Sequence, residues 1–216
     1  MKKLISYFWP STKRFSSEIN GTLEVTFIDG KKVLDTLNAN YSYGSLQKIL
    51  EVGLNIIDLS SVKNVLLLGL GGGSIIKSLR EKYNYQNNIV AVEIDPQVVK
   101  LAKTEFGIIP SKYLQIIQGD AFEYVKNSEE KFQLIIIDLF IDINVPPIFY
   151  GKEFCTNTAR LIANEGSIIF NAGINLNLQT KDFETVSSNF GNDFNFKIHR
   201  KVNGTNTLLI GVKRQD

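Results

Sequence analysis

Four short stretches of this 216-residue chain carry side chains able to do chemistry, and each follows an apolar run. The first is Gly69-Leu70-Gly71-Gly72-Gly73-Ser74, directly after "NVLLL". Glycines let a backbone turn sharply and approach a ligand, and the next helix offers free N–H groups at its positive end. Dinucleotides, nucleoside triphosphates and sulfonium cofactors all use such turns, and a glycine turn can also serve packing alone. No Gly-Lys-Ser/Thr follows, which argues against a phosphate-cradling P-loop. The second is Glu93 in "VAVEIDP", about 20 residues beyond the glycines, where a carboxylate can accept hydrogen bonds from ribose hydroxyls. Asp95 reads more simply as a helix cap.

The third stretch is Gly119-Asp120-Ala121, a polar acceptor and a small residue able to receive an adenine amine, with Ile94 or Phe122 against the ring face. The structural alternative for Asp120 is an N-cap. The fourth is "IIIDLFIDINVPP", in which Asp138 follows an apolar run and must be satisfied by a ligand or by donors. Pro146 and Pro147 then stiffen a loop that can wall a substrate pocket. Together these turns point to an adenosine-containing ligand.

The elements that must position them alternate. "KNVLLLGL", "NIVAVEI", "LQIIQGD", "FQLIIIDLF" and "GSIIFNA" read as buried strands. "SIIKSLREKY", "DPQVVKLAKTEFG", "AFEYVKN", "GKEFCTNTARLIANEG" and "TKDFETVSSNFG" read as helices, the second with Asp95 as N-cap and Gly107 as terminator. "FKIHRKV" and "NTLLIGVK" flank Asn203-Gly204 as a closing hairpin. Continuous apolar strands between helices define a doubly wound, mostly parallel α/β sheet, into which the hairpin brings an antiparallel strand. Ahead of it, residues 20–40 alternate about Asp29-Gly30 as a small N-terminal β-hairpin, and Leu46, Ile49, Leu50, Leu54 and Ile57 share a helical face. Residues 1–44 are read as the extension and 45–216 as the Rossmann-like binding domain.

Composition narrows the function classes. With 44% hydrophobic and 21% charged residues and a net charge of +2, the chain is an ordinary globular protein. Its basic pairs are scattered among acidic residues, which describes solvated surface rather than a nucleic-acid stripe. The single cysteine, Cys155, excludes an internal disulfide, fits a reducing cytoplasm and reads as a small core residue. With one histidine, His199, no metal site is expected. "MKKLISYFWP" is too short and polar for a secretory segment, and no run approaches the roughly 20 apolar residues that span a bilayer, so a cytoplasmic protein is expected. Phe8 and Trp9 are expected to cover a core edge, with a partner-facing patch as the alternative and a homodimer left open.

As a set, Gly69–Ser74, "VEID", "GDAFEYV" and "IIIDLF…PP" resemble the S-adenosylmethionine-dependent transferases, and within them the spermidine-synthase-like group. The N-terminal hairpin leading to "NYSYGSLQ" strengthens the narrower match. The resemblance implies a seven-stranded sheet of the methyltransferase type. It implies S-adenosylmethionine, or its decarboxylated form, as cofactor and a small molecule as acceptor. By the same resemblance Gly69, Gly71, Gly72 and Gly73 form the turn around the methionine-like part. Glu93 takes the ribose, and Ile94, Asp120 and Ala121 take adenine. Asp138 sits beside the cofactor amine or the acceptor nucleophile, and Tyr43 lines the acceptor pocket.

The departures set the expected reaction. Gly72 stands where aminopropyltransferases of this group carry an aspartate. A carboxylate there would attract the ammonium of the decarboxylated cofactor and repel the carboxylate of the intact one. Ile141 stands where their second aspartate falls, and Asp142 is one residue late, which in an extended segment points the side chain the other way. Gly44-Ser45 replaces the polar and acidic residues that follow their tyrosine, and the N-terminal acceptor-binding part is expected to be reduced. The expected function is therefore methyl transfer to a small acceptor, with Asp138 as general base. The alternatives are aminopropyl transfer to a polyamine, with Asp142 on the distant ammonium, and a non-catalytic cofactor-binding module.

Overall fold

The computed structural model describes residues 9–36, 40–42, 44–173 and 183–215. Strands β1 (Ser11–Ser17), β2 (Gly21–Ile28), β3 (Lys31–Thr36) and β4 (Asn40–Ser42) form an antiparallel sheet in that order. Asp29 and Gly30 make the expected reversal, both in the left-handed region at φ 50° and 72°, as a tight two-residue turn requires. The extension is larger than the hairpin expected from residues 20–40. "STKRFSS" pairs along β2 from Ser11 opposite Phe27 to Ser17 opposite Gly21. It is an edge strand exposed over most of its length, so it lacks the apolar alternation that marks a half-buried one.

The second sheet has seven strands: β5 (Asn64–Leu68), β6 (Asn88–Glu93), β7 (Leu114–Gln118), β8 (Phe132–Ile137), β9 (Ile162–Asn171), β10 (Phe194–Val202) and β11 (Asn206–Lys213). Their order is β10-β11-β9-β8-β5-β6-β7. β5 to β9 pair in parallel, whereas β11 runs antiparallel to both β9 and β10. The strand order reverses beside β5, between β6 on one side and β8 on the other. Ligands of such sheets bind beyond the strands' carboxyl ends at this switch point.

Both faces are covered. One is packed by α1 (Ser45–Leu54), α2 (Ser74–Lys77, continued by a π turn over Ser78–Lys82) and α3 (Pro96–Thr104). The other is packed by α4 (Ala121–Asn127), α5 (Lys152–Leu161) and α6 (Phe183–Asn189). Successive β5 residues serve opposite faces: Val65 and Leu67 join the first core, Leu66 and Leu68 the second. That double burial is why the strand reads as an unbroken apolar run.

Leu23, Val25 and Leu34 of the antiparallel sheet share the first core with Ile49, Leu50 and Leu54 of α1. Asp95 adds a polar tether. It is fully buried, and its Oδ1 accepts from the Gln97 and Val98 N–H groups at 2.8 and 3.3 Å, the expected cap of α3. Its Oδ2 accepts from the Ser17 hydroxyl and, at 2.6 Å, from the Asn20 amide, which pins the β1–β2 turn. Lys13 and Lys32 also donate to Glu105, at 3.0 and 2.9 Å, and hold its carboxyl below the usual range.

Three local expectations are corrected. The helix expected to run to Gly166 ends at Leu161, because Ile162 turns extended and pairs with Phe132. Further on, Glu165 takes a left-handed φ of 61°, which no helix continues. The first helix stops at Leu54, and Ile57 packs on the core beyond its end. Trp9 is 78% exposed and covers no core edge, while Phe8 lies outside the described residues. Among the described residues, no helix is long and apolar enough to cross a membrane.

Replacing Asp95 removes a cap and an acceptor for two side-chain donors. Asp95→Ala is expected to lower the unfolding free energy by about 2–4 kcal/mol in urea denaturation, against about 1 kcal/mol for a bare cap. A loss no larger than the cap value would show that the tether adds nothing.

Candidate active site

The glycine turn closes the end of β5. Gly69 has φ 94°, and a Cβ built on it would lie 2.1 Å from the Asp138 carbonyl oxygen, so only glycine fits. The Gly69 N–H donates to the Val92 carbonyl at 2.9 Å and the Asp138 N–H to the Leu68 carbonyl at 2.8 Å. The ends of β5, β6 and β8 are thereby drawn together. Gly73 caps α2 at φ 75°, against the Ile108 side chain, and Gly72 beside it is buried.

Glu93 does more in the structure than its spacing implied. Its Oε2 accepts from the Leu70 and Gly71 N–H groups at 3.0 and 3.3 Å, and its Oε1 from the Asp95 N–H at 3.0 Å. The carboxylate therefore organises the glycine turn while lining the cavity above it. Burial pushes this carboxyl up against the pull of those three donors, and the Asp95 charge adds to the rise.

Asp138 follows β8 and faces the same cavity. Its Oδ1 accepts from the Asn171 Nδ2 at 2.9 Å. The Asn171 Oδ1 in turn accepts from the Gly173 N–H at 3.3 Å and the Asn206 Nδ2 at 2.9 Å. The Asn206 Oδ1 accepts from the Thr205 hydroxyl at 2.8 Å. A backbone N–H can only donate, so Gly173 fixes the Asn171 amide with its nitrogen towards Asp138. Burial pushes Asp138 up to about 6, Asn171 restrains the rise, and the Glu93 charge contributes to it.

Asp142 lies in a tight turn between Ile141 and Asn144, whose backbones exchange hydrogen bonds of 2.9 and 3.2 Å, and its φ is 53°. The segment is thus bent where an extended one was expected. The bend turns Asp142 towards the cavity, where its Oδ1 accepts from the Thr36 hydroxyl at 2.7 Å. Asp120 is the N-cap of α4, its Oδ1 accepting from the Phe122 and Glu123 N–H groups at 2.6 and 3.4 Å, and it borders the cavity with Ala121. Ile94 lines the cavity, whereas Phe122 stacks on Phe154 with ring centroids 6.3 Å apart. Tyr43 lies outside the described residues. Cys155 is buried in α5 with its thiol pushed up to about 12, which makes it a core residue. Sequence reasoning missed Asn171, although it ends an apolar strand just as Asp138 does, and it missed Asn206 beside the Asn-Gly turn.

The cavity has a volume of about 440 Å³. Among its described lining residues are four carboxylates, those of Glu93, Asp120, Asp138 and Asp142, and no Lys, Arg or His. Glycine backbone, a buried carboxylate and apolar walls together make a cavity of the size and character of a small-ligand site. Among the described residues no group of three His, Cys, Asp or Glu can hold a metal ion.

The same fold occurs in human methyltransferase-like protein 13 in complex with SAH, with a TM-score of 0.67 at 21% identity over 80% of this chain and 83% of that one. It occurs also in a probable spermidine synthase from Corynebacterium glutamicum ATCC 13032, with a TM-score of 0.63 at 18% identity over 94% and 77% of the two chains. This is the fold of S-adenosylmethionine-dependent transferases. The chain belongs to the family of the spermine/spermidine synthase domain, whose model matches residues 47–210. The polyamine aminopropyltransferase of Vibrio vulnificus (strain CMCP6) is 31% identical over 150 residues, 68% of this chain and 50% of that protein. The chain spans about half the length of the curated relatives it matches.

Because the folded value of Asp138 lies above an ordinary carboxyl's, the folded chain binds the extra proton. The stability this group contributes is present below about pH 4 and lost as the pH rises through about 6. Asp138→Asn is therefore expected to melt higher than the parent at pH 7, by about 2–4 °C per kcal/mol gained, with the gap closing towards pH 4. A gap independent of pH would contradict this. In Asn171→Leu the Asp138 carboxyl loses its donor, and carboxyl-carbon NMR is expected to place its titration above that of the parent.

Proposed function

We propose that the chain transfers an aminopropyl group from decarboxylated S-adenosylmethionine to an amine. The observation that carries this reading is the cavity with four carboxylates and no cationic side chain among its described lining residues. Such a cavity favours a ligand with an ammonium and a sulfonium but no carboxylate. The names of relatives such as the Vibrio protein support the same choice over methyl transfer.

In this reading the glycine turn holds the chain attached to sulfur, Glu93 meets the ribose, and Ile94, Asp120 and Ala121 meet adenine. The bound donor supplies a carbon whose bond to positive sulfur breaks as a neutral thioether leaves. Asp138 takes the proton from the attacking amine, and a value near 6 leaves it ionised at neutral pH. Asn171 keeps one carboxylate oxygen occupied and fixes the direction of the other. Thr36 steadies Asp142, so the antiparallel sheet becomes a wall of the acceptor side. The rest of the catalysis is positioning and exclusion of water.

Methyl transfer remains the second reading on one observation, the absence of a carboxylate at Gly72. Titration calorimetry with both cofactors separates the two: the decarboxylated form is expected to bind at least about tenfold more tightly. Preference for the intact form would establish methyl transfer instead. With decarboxylated cofactor and amine, kcat/KM is expected to rise with pH through about 6 and then level. Asp138→Asn is expected to lower kcat by about 10²–10⁴ with little change in cofactor affinity.

A further inference from the structure

Around its acidic residues the cavity is rimmed by hydrocarbon. Ile141, Ile143 and Ile148 all line it and are 49%, 38% and 52% exposed. All three come from the loop between β8 and α5. The backbone holds them there: Asp142 takes its left-handed φ between Ile141 and Ile143, and Pro146-Pro147 leads into a 3-10 turn over Pro147–Tyr150. Partly buried Phe149 continues the same wall. Exposed apolar groups gathered at one mouth mark a surface that a ligand covers.

That ligand must satisfy two demands. Asp138 and Asp142 ask for a cation, and the isoleucines ask for hydrocarbon. A short diamine meets the first demand only, because its far ammonium would be desolvated against the isoleucine wall. Resting on the reading of an amine acceptor, we propose that the acceptor is an amphiphilic amine: one basic nitrogen at Asp138 and an unbranched apolar chain laid over Ile141, Ile143 and Ile148. Asp138 takes one proton from the ammonium, the nitrogen pair so freed attacks the carbon on sulfur, and the carbon–sulfur pair leaves with the neutral thioether. Asp142 draws the single ammonium into the mouth, and each methylene that leaves water adds to affinity.

The test titrates n-hexylamine and 1,4-diaminobutane separately into the full chain saturated with 5′-methylthioadenosine, read by calorimetry. Hexylamine is expected to bind at least about tenfold more tightly. In Ile141→Asp the order is expected to reverse, since the new carboxylate pairs with the second ammonium. Position 141 is half exposed, and urea unfolding checks that the variant folds. Equal or tighter binding of the diamine by the parent, or no binding of either amine, overturns the proposal. Release of 5′-methylthioadenosine from the decarboxylated cofactor is measured beside it. Release with the diamine but not with hexylamine overturns the acceptor class and leaves aminopropyl transfer standing. A hexylamine preference without any release supports the acceptor class and removes aminopropyl transfer.

Discussion

At Gly69 the backbone passes so close to the Asp138 carbonyl that no side chain fits between them. Two hydrogen bonds keep that approach, one from Gly69 to β6 and one from Asp138 to β5. Through this contact the glycine turn and Asp138 share one rigid frame, centred where the strand order reverses. The rest of the site hangs from it. The carboxylate of Glu93 shapes the glycine loop from one side, and the Asn171 amide steers Asp138 from the other.

Three carboxylates in or beside the site are taken out of water in three different ways. Asp95 is fully satisfied by a helix end and two side chains, so it serves architecture. Among the described residues Glu93 accepts only backbone donors of the turns it joins, so its carboxyl is part of the frame of those turns. Among the described residues Asp138 accepts from one side-chain donor, Asn171, and it faces the cavity. Burial raises Glu93 and Asp138 against the pull of their donors.

The sequence displays what repeats along the chain. Apolar runs ending in glycine or a carboxylate mark β5, β6 and β8, and the sharp turns at Asp29-Gly30 and Asn203-Gly204 fall where positive φ demands them. What it hides is pairing between distant segments. β1 borrows its order from β2 and carries no pattern of its own. The Asn171–Asn206 contact joins two neighbouring strands far apart in sequence, and read singly neither asparagine differs from one facing solvent. The bend at Asp142 escaped for a third reason: "FIDINV" holds no glycine, and an aspartate took the left-handed position that glycine usually signals.

Among the described residues β11 is the last strand along the chain, yet it lies inside the sheet, between β9 and β10. It brings the Asn206 amide that seats Asn171, and Asn171 in turn aims Asp138. During synthesis the glycine turn and Asp138 leave the ribosome before Asn206 does. Asn171 lacks its Asn206 contact until β11 has been made. The donor that holds the Asp138 carboxyl is therefore seated by a segment some seventy residues further along the chain.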